Sequence, residues 1–466
     1  MKTVKVVLAN PPVVYSKTGT MDNDFKCKEF VFPGRLWKNR FFRRIFDFCA
    51  VHFGLGKGVR YGVRAGSRWP WTIDRPLYNL APYPFMMGYT ASLLRREGYD
   101  ADIMDAVIDG ESNYDRFLRR VERSNPDIVL MECLASTLDV DLWFAKRLSA
   151  FTEVALGGAH VAQNAEALSK KYPYVRYWLK GEYILSSVRM VSERRAGIYD
   201  CEILENLDSI PFPFRNYPEG TLYFDCTMPT PQPQLQIYGS KGCPFKCSYC
   251  LWPQTMYKGR VSLRCPEKIA EEIRQSVAEQ GYKSIFFDDD TFNMGNERIS
   301  VLCDHLKEIG LPWTMMGRLD TSPLWLFDKM VDCGCVGMRF GVETFDPEVS
   351  RNIRKGLEVD NIYGVLKHLV EKHPNLWLYL LMMKNLPGQT KEIEQRDAEI
   401  LKELGFVEKE VGEVLRGYRV ASCVPFPGTS LYDDFVSRYG VEKLQGMEMY
   451  DGSQEKFSGL LEKLYD

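Results

Sequence analysis

The chain has 466 residues, 45% hydrophobic and 26% charged, with a formal net charge of -2. That length exceeds one ordinary core and predicts two or three domains, and the near-neutral balance gives no global argument for a nucleic-acid partner. No apolar run approaches the roughly 20 residues of a membrane span, and 13 cysteines in so long a chain do not form a dense disulfide framework.

The start runs straight into a strand and the turn Pro11-Pro12, so a cytoplasmic location is expected. From Lys5 to about residue 192, short β-rich runs alternate with helical patterns, which predicts βαβ units on a parallel sheet. Strands are predicted at 5–9, 100–104, 127–133, 153–156 and 175–179, and a helix over 87–96 should stop at Gly98. In such a doubly wound domain a ligand sits beyond the carboxyl ends of the strands. Those ends carry Asn10-Pro11-Pro12, then a run from Glu132 to Ser136 and Thr137, then Gly157-Gly158-Ala159-His160, and Gly181-Glu182. Paired glycines let backbone approach a large flat ligand, and Ser136 and Thr137 offer hydroxyls to its edge, although each feature alone is also an ordinary turn.

An insertion over about 13–80 separates the first strand from the first helix and exceeds a plain connection. Between Lys17 and Arg75 it holds 13 Lys and Arg against five Asp and Glu, beside a wide aromatic face that includes Trp37, Phe41, Phe42, Phe46 and Phe48. Basic charge next to aromatics suits an anionic or amphiphilic small-molecule substrate, or peripheral contact with a membrane surface carrying one, with Arg64, Arg68, Trp69 and Trp71 as candidate contacts. Packing of the insertion on the domains is the plain alternative. Residues 196–233 read as a linker, because Pro211, Pro213, Pro218, Pro229, Pro231 and Pro233 forbid a long helix.

Next comes Cys243-Pro244-Phe245-Lys246-Cys247-Ser248-Tyr249-Cys250, three cysteines in a C-x3-C-x2-C loop after the apolar run 235–239. Three close thiolates suit an iron-sulfur cluster with one iron free of protein ligands. Zinc is the competing reading, but no histidine lies between His160 and His305 and paired C-x2-C units are missing. A second βα series spans 234–429, with strands predicted at 235–240, 284–288, 312–318, 337–341, 376–383 and 418–424. In parallel barrels functional residues gather at the strand carboxyl ends. There stand Asp288-Asp289-Asp290, Arg318-Leu319-Asp320, Gly341-Val342-Glu343, Pro387-Gly388 and Pro427-Gly428. A short tail, 430–466, is helical where patterned.

The cysteine spacing, with an aromatic residue before the third cysteine, resembles the signature of radical S-adenosylmethionine (SAM) enzymes. Over nearly the whole chain the order of motifs resembles the cobalamin-binding radical SAM family. The resemblance implies an α/β chain: a doubly wound, Rossmann-like cobalamin-binding domain over 1–195, then a partial (β/α)6 TIM-type radical SAM barrel. It assigns Cys243, Cys247 and Cys250 to a [4Fe-4S] cluster. Asp289, Asp290 and Glu343 become candidates for the SAM ammonium or ribose, Arg318 for its carboxylate, and Asn10, Ser136, Thr137, Gly157, Gly158, His160 and Glu182 for cobalamin. Individually, Asp290 with Thr291 also suits a helix cap, and Glu343 a barrel-lining acid. The histidine loop that ligates cobalt in mutases is missing, so cobalt without a protein histidine is expected. The implied activity is methyl transfer to an unactivated carbon or phosphorus through a 5′-deoxyadenosyl radical and methylcobalamin, with flavodoxin or ferredoxin as electron donor. Oxidative cyclisation, ring contraction or carbon-carbon coupling share the layout, and a non-catalytic redox or corrinoid sensor is the reading outside enzymes.

Overall fold

The structure, a computed structural model, describes residues 3–12, 14–16, 60–62, 72–73, 82–109, 111, 113–134, 137–215, 223, 228–409, 411–444, 460–461 and 463–465. The chain divides into two compact units. The first comprises Met1–Leu204, Ile210–Thr221 and Gln445–Ser453, and the second Glu205–Ser209, Leu222–Leu444 and Gln454–Asp466.

In the first unit the strands are β1 (Lys5–Asn10), β2 (Val14–Ser16), β3 (Arg60–Gly62), β4 (Thr72–Ile73), β5 (Asp100–Asp105), β6 (Ile128–Glu132), β7 (Glu153–Gly158), β8 (Tyr177–Lys180) and β9 (Gly197–Tyr199). Six of them form a parallel sheet in the order β5-β1-β6-β7-β8-β9, and β2, β3 and β4 pair separately. β6 reads Ile-Val-Leu-Met-Glu and is buried throughout, the continuous apolar run expected when helices cover both faces of a parallel sheet. Val7, Val129, Val154, Phe117, Phe144 and Trp178 share one core. The helix Phe85–Arg96 buries Met87, Ala91 and Leu94 and is followed by Gly98 in the left-handed region. Chain order reverses between β1 and β6, which makes their carboxyl ends the switch point where such sheets take ligands. The stretch read as a linker holds ordered pieces, with β9 pairing parallel to β8 and a 3-10 turn at Leu207–Ser209.

The second unit holds β10 (Gln234–Ile237), β11 (Ser240–Lys241), β12 (Ser262–Leu263), β13 (Ser284–Phe287), β14 (Trp313–Gly317), β15 (Cys335–Glu343), β16 (Trp377–Lys384), β17 (Val407–Glu408) and β18 (Arg416–Ser422). Its main sheet runs in chain order, β10-β13-β14-β15-β16-β18, with the short β17 added beside β18. Every pair is parallel, so each strand needs a crossover. The helices Pro266–Gln280, Asn296–Ile309, Leu324–Asp332, Val359–Lys372 and Lys391–Glu403 supply them. Their inner faces, with Ile273, Leu302, Phe327 and Leu366, pack on Ile285, Trp313, Met338 and Leu380. This is the partial (β/α)6 barrel, and it brings six strand carboxyl ends to one edge.

Candidate active site

At the carboxyl end of β10 the chain makes a two-residue antiparallel pair, β11 with β12, and then turns at Gly242. Gly242 sits at φ +84°, and a Cβ there would collide with the Arg260 carbonyl, so glycine is required. The three cysteines follow on a loop tied from several sides. Ser248 N donates to the Ile353 carbonyl at 2.8 Å, and the Ser248 carbonyl accepts Leu431 N at 3.0 Å. Gln254 Nε2 donates to the carbonyls of Cys250 and Cys247 at 2.6 and 3.1 Å.

The acids after β13 hold this loop. Asp289 accepts Gly239 N at 2.8 Å on one oxygen and the Ser240 hydroxyl at 2.6 Å on the other. Asp290 accepts Gly242 N at 2.9 Å, and Thr291 Oγ1 lies 3.3 Å from Cys243 Sγ. Neither caps a helix, since the residue before Asn296–Ile309 is Gly295. Asp289, expected to receive SAM, is fully buried and spends its carboxylate on the loop, because its strand end lies directly behind β10.

Arg318, expected to meet a methionyl carboxylate, stands beside the cysteine loop. Its guanidinium forms a two-pronged pair with Asp320 at 2.9 and 2.7 Å, donates to the Lys355 carbonyl at 3.0 Å and stacks 3.7 Å from the Phe245 ring centroid. One further nitrogen, Nη1, stands 4.0 Å from Cys247 Sγ. Glu343 sits at φ +70°, unusual for a non-glycine residue, where the register of β15 against β16 slips. Its Oε1 accepts the Tyr249 hydroxyl at 2.9 Å and pairs with Lys355 Nζ at 3.1 Å.

Burial pushes the Cys243 thiol up, the Thr291 hydroxyl partly opposing, and burial together with the neighbouring Cys247 pushes Cys250 well up. Buried thiols of this kind stay protonated until a metal takes them, and a coordinating thiol gives up its proton outright. Three cysteines on one fixed loop fit the set required by a cluster with one open iron. Burial also raises Tyr249 well above its ordinary value, with Glu343 adding to it, so the phenol is a donor. For Lys355, burial works against the ammonium, but the Glu343 carboxylate and Cys247 together outweigh it and the group is raised.

In the first unit Asn10 Nδ2 donates to Asp105 Oδ1 at 3.0 Å, joining the ends of β1 and β5. The Thr137 hydroxyl donates to Asp141 at 2.6 Å, one turn into the helix Leu138–Leu148. Gly158 lies at φ +104°, and a Cβ on it would stand 2.8 Å from both the Cys133 carbonyl and Glu132 Cγ. Gly158 is therefore required by the close approach of the end of β7 to the end of β6. Glu132 ends β6 beneath it, with the Tyr183 hydroxyl on Oε2 at 2.7 Å and no partner on Oε1 among the described residues. Burial lifts its carboxyl to about 7, the Tyr183 bond lowering and Asp141 raising it. His160 opens the helix Ala159–Lys171, and burial lowers its imidazole to about 4, leaving it neutral. Glu182 is fully buried after β8. Ser136, Arg64, Arg68, Trp69 and Trp71 lie outside the described residues.

Residues 237–400 match the radical SAM superfamily, so the second unit carries a radical SAM domain. An uncharacterised methyltransferase of Pyrococcus horikoshii is 24% identical over 375 residues, 75% of this chain and 78% of that protein. Among solved structures, the radical SAM methyltransferase TsrM of Kitasatospora setae with tryptophan and aza-SAM superposes with a TM-score of 0.57 at 16% identity, over 78% of this chain and 73% of that one. The same enzyme with cobalamin and a [4Fe-4S] cluster gives 0.56 at 17% identity, over 80% and 73%. The cobalamin-dependent SAM radical enzyme OxsB, with aqua-cobalamin and SAM, gives 0.52 at 15% identity over 70% and 50%. At such identities the likeness is one of fold, and it extends through both units.

Several residues of the site carry no local signal. Arg264, 1% exposed, binds Asp208, Glu272 and the Tyr238 carbonyl, and Arg298 donates to the Gly239 and Phe292 carbonyls, so two arginines brace the end of β10. Lys355 arrives from the turn after the helix Pro347–Asn352. Tyr249 was legible as the aromatic before the third cysteine; its bond to Glu343, 94 positions away, was not.

Proposed function

We propose that this chain is a cobalamin-dependent radical SAM methyltransferase acting on an unactivated carbon or phosphorus centre of a small or amphiphilic substrate. The observation that carries the reading is the braced loop of three cysteines, Cys243 and Cys247 buried and Cys250 half-buried, at the strand carboxyl ends of a partial barrel, in a chain whose other unit is a parallel sheet with a switch point between β1 and β6. Cys243, Cys247 and Cys250 would hold the [4Fe-4S] cluster; Gly157, Gly158, Glu132 and Glu182 would line the cobalamin edge. When bound, these groups supply the electron that cleaves SAM and the carrier for its methyl group.

The rest is the protein's own part. Asp289 and Asp290 fix the backbone of the loop so that the thiols are presented together. Glu132, protonated below about pH 7, can donate as well as accept, which suits an amide edge. His160 serves that edge as a neutral side chain without ligating cobalt. Among the described residues no helix is long and apolar enough to cross a membrane. A reducing cytoplasm suits the free thiols, with a flavodoxin- or ferredoxin-type donor as electron source. Arg64 and Arg68 are the residues we assign to substrate entry: changing both to Ala should weaken substrate turnover while substrate-free SAM cleavage persists.

The reading is tested anaerobically with methyl-labelled SAM and dithionite. Label in product together with deoxyadenosine supports methylation; deoxyadenosine without label transfer would move the reading to cyclisation or coupling, and no deoxyadenosine would end it.

A further inference from the structure

We propose that the buried ammonium of Lys355, held by Glu343 and Tyr249, is a positioning charge that raises the reduction potential of the iron-sulfur cluster. The proposal rests on the reading that Cys243, Cys247 and Cys250 hold that cluster.

Lys355 is 7% exposed and makes two side-chain contacts, 3.1 Å to Glu343 Oε1 and 3.4 Å to the Tyr249 hydroxyl. Tyr249 stands in sequence between Cys247 and Cys250, so the ammonium is joined to the cysteine loop through one side chain. The pair is built in, not incidental. A Cβ on Gly341 would come within 2.5 Å of Glu343 Oε1 and 3.1 Å of Lys355 Nζ, so the strand leaves room for these two groups only by having none there itself. The left-handed backbone of Glu343 is what turns its carboxylate to that place. Lys355 is set by its own turn, its N–H donating to the Ser350 carbonyl at 2.9 Å, while its carbonyl fixes Arg318 beside Cys247.

A buried ion pair is weak evidence for stability, because the cost of drying both charges is comparable to their attraction. Beside a redox group it acts differently. Reduction of the cluster by one electron, taken from dithionite, adds one negative charge and moves no other bond. A fixed cation in low dielectric favours the more negative state, and a fixed anion opposes it. Lys355 and Glu343 should therefore shift the potential in opposite directions, which a purely packing role would not do.

The test is a redox titration of the anaerobically reconstituted full chain without SAM, read by electron paramagnetic resonance of the reduced cluster. Lys355→Met should lower the midpoint potential by about 59 mV, a tenfold change in the one-electron equilibrium. Glu343→Gln should raise it, and Lys355→Arg should stay near the parent. If Lys355→Met assembles no cluster, Glu343→Gln still decides. An unmoved potential in Glu343→Gln, or shifts of one sign in both variants, overturns the proposal; so does a changed SAM affinity with an unmoved potential, which would make Lys355 a SAM residue. A parent chain that assembles no cluster overturns the cluster reading itself.

Discussion

At the end of β6 the carboxylate of Glu132 has one hydrogen-bonded oxygen and one without a partner among the described residues, and burial holds it near neutral. At the end of β13, Asp289 has both oxygens engaged by the cysteine loop, and Asp290 takes another backbone N–H of that loop. The contrast separates two ways of preparing a strand end for a cofactor. The second unit uses its acids to hold protein, which fixes the proposed cluster thiols in place; the first leaves one carboxylate oxygen open at its switch-point strand end.

Cys247→Ala gives the largest effect expected: cluster iron and SAM cleavage should both be lost, and retention of cleavage would break the assignment. Asp289→Ala strands Gly239 N in a dry strand end, leaves the Ser240 hydroxyl only the Thr291 carbonyl, and should destabilise the second unit by about 2–3 kcal/mol, read from denaturant unfolding, with poor cluster retention. Asp289→Asn should be milder, since one oxygen remains as acceptor.

Glu132 sharpens the comparison through pH. Its folded-state pKa is raised, so the folded chain holds the proton more tightly and the first unit should lose stability as pH rises from about 4.5 through 7. The full shift corresponds to roughly 3–4 kcal/mol, and Glu132→Gln should flatten the slope. In the second unit Asp328 has the opposite sign. Burial works against its charge, but bonds from Lys372 at 2.7 Å, His373 at 2.7 Å and His368 at 2.8 Å outweigh that and hold it at about 2. Its contribution is present above about pH 4 and is lost as pH falls towards 2; Asp328→Asn should cost about 1–2 kcal/mol at neutral pH. Two unfolding profiles with the same slope would remove the contrast.

The smallest effect expected is at His160. His160→Ala should leave the electron paramagnetic resonance spectrum of cob(II)alamin-loaded protein unchanged, and nitrogen splitting lost on that substitution would make the imidazole a cobalt ligand after all.

The sequence by itself determined the two βα series, their strand positions to within a few residues and the three cysteines, because parallel strands buried on both faces are written as local apolar runs and a tight thiol loop is written as local spacing. Gly98 was readable for the same reason: a helix stop is decided by its own backbone. Only the tertiary structure decided what the polar strand ends do. Asp289 meets Gly239 and Ser240 only when β10 and β13 lie side by side, and Arg318 meets the Lys355 carbonyl only when the turn after Pro347–Asn352 folds back against it. Lys355 had no signal at all, since a buried lysine is recognised by the carboxylate and phenol it meets, and these lie 12 and 106 positions away.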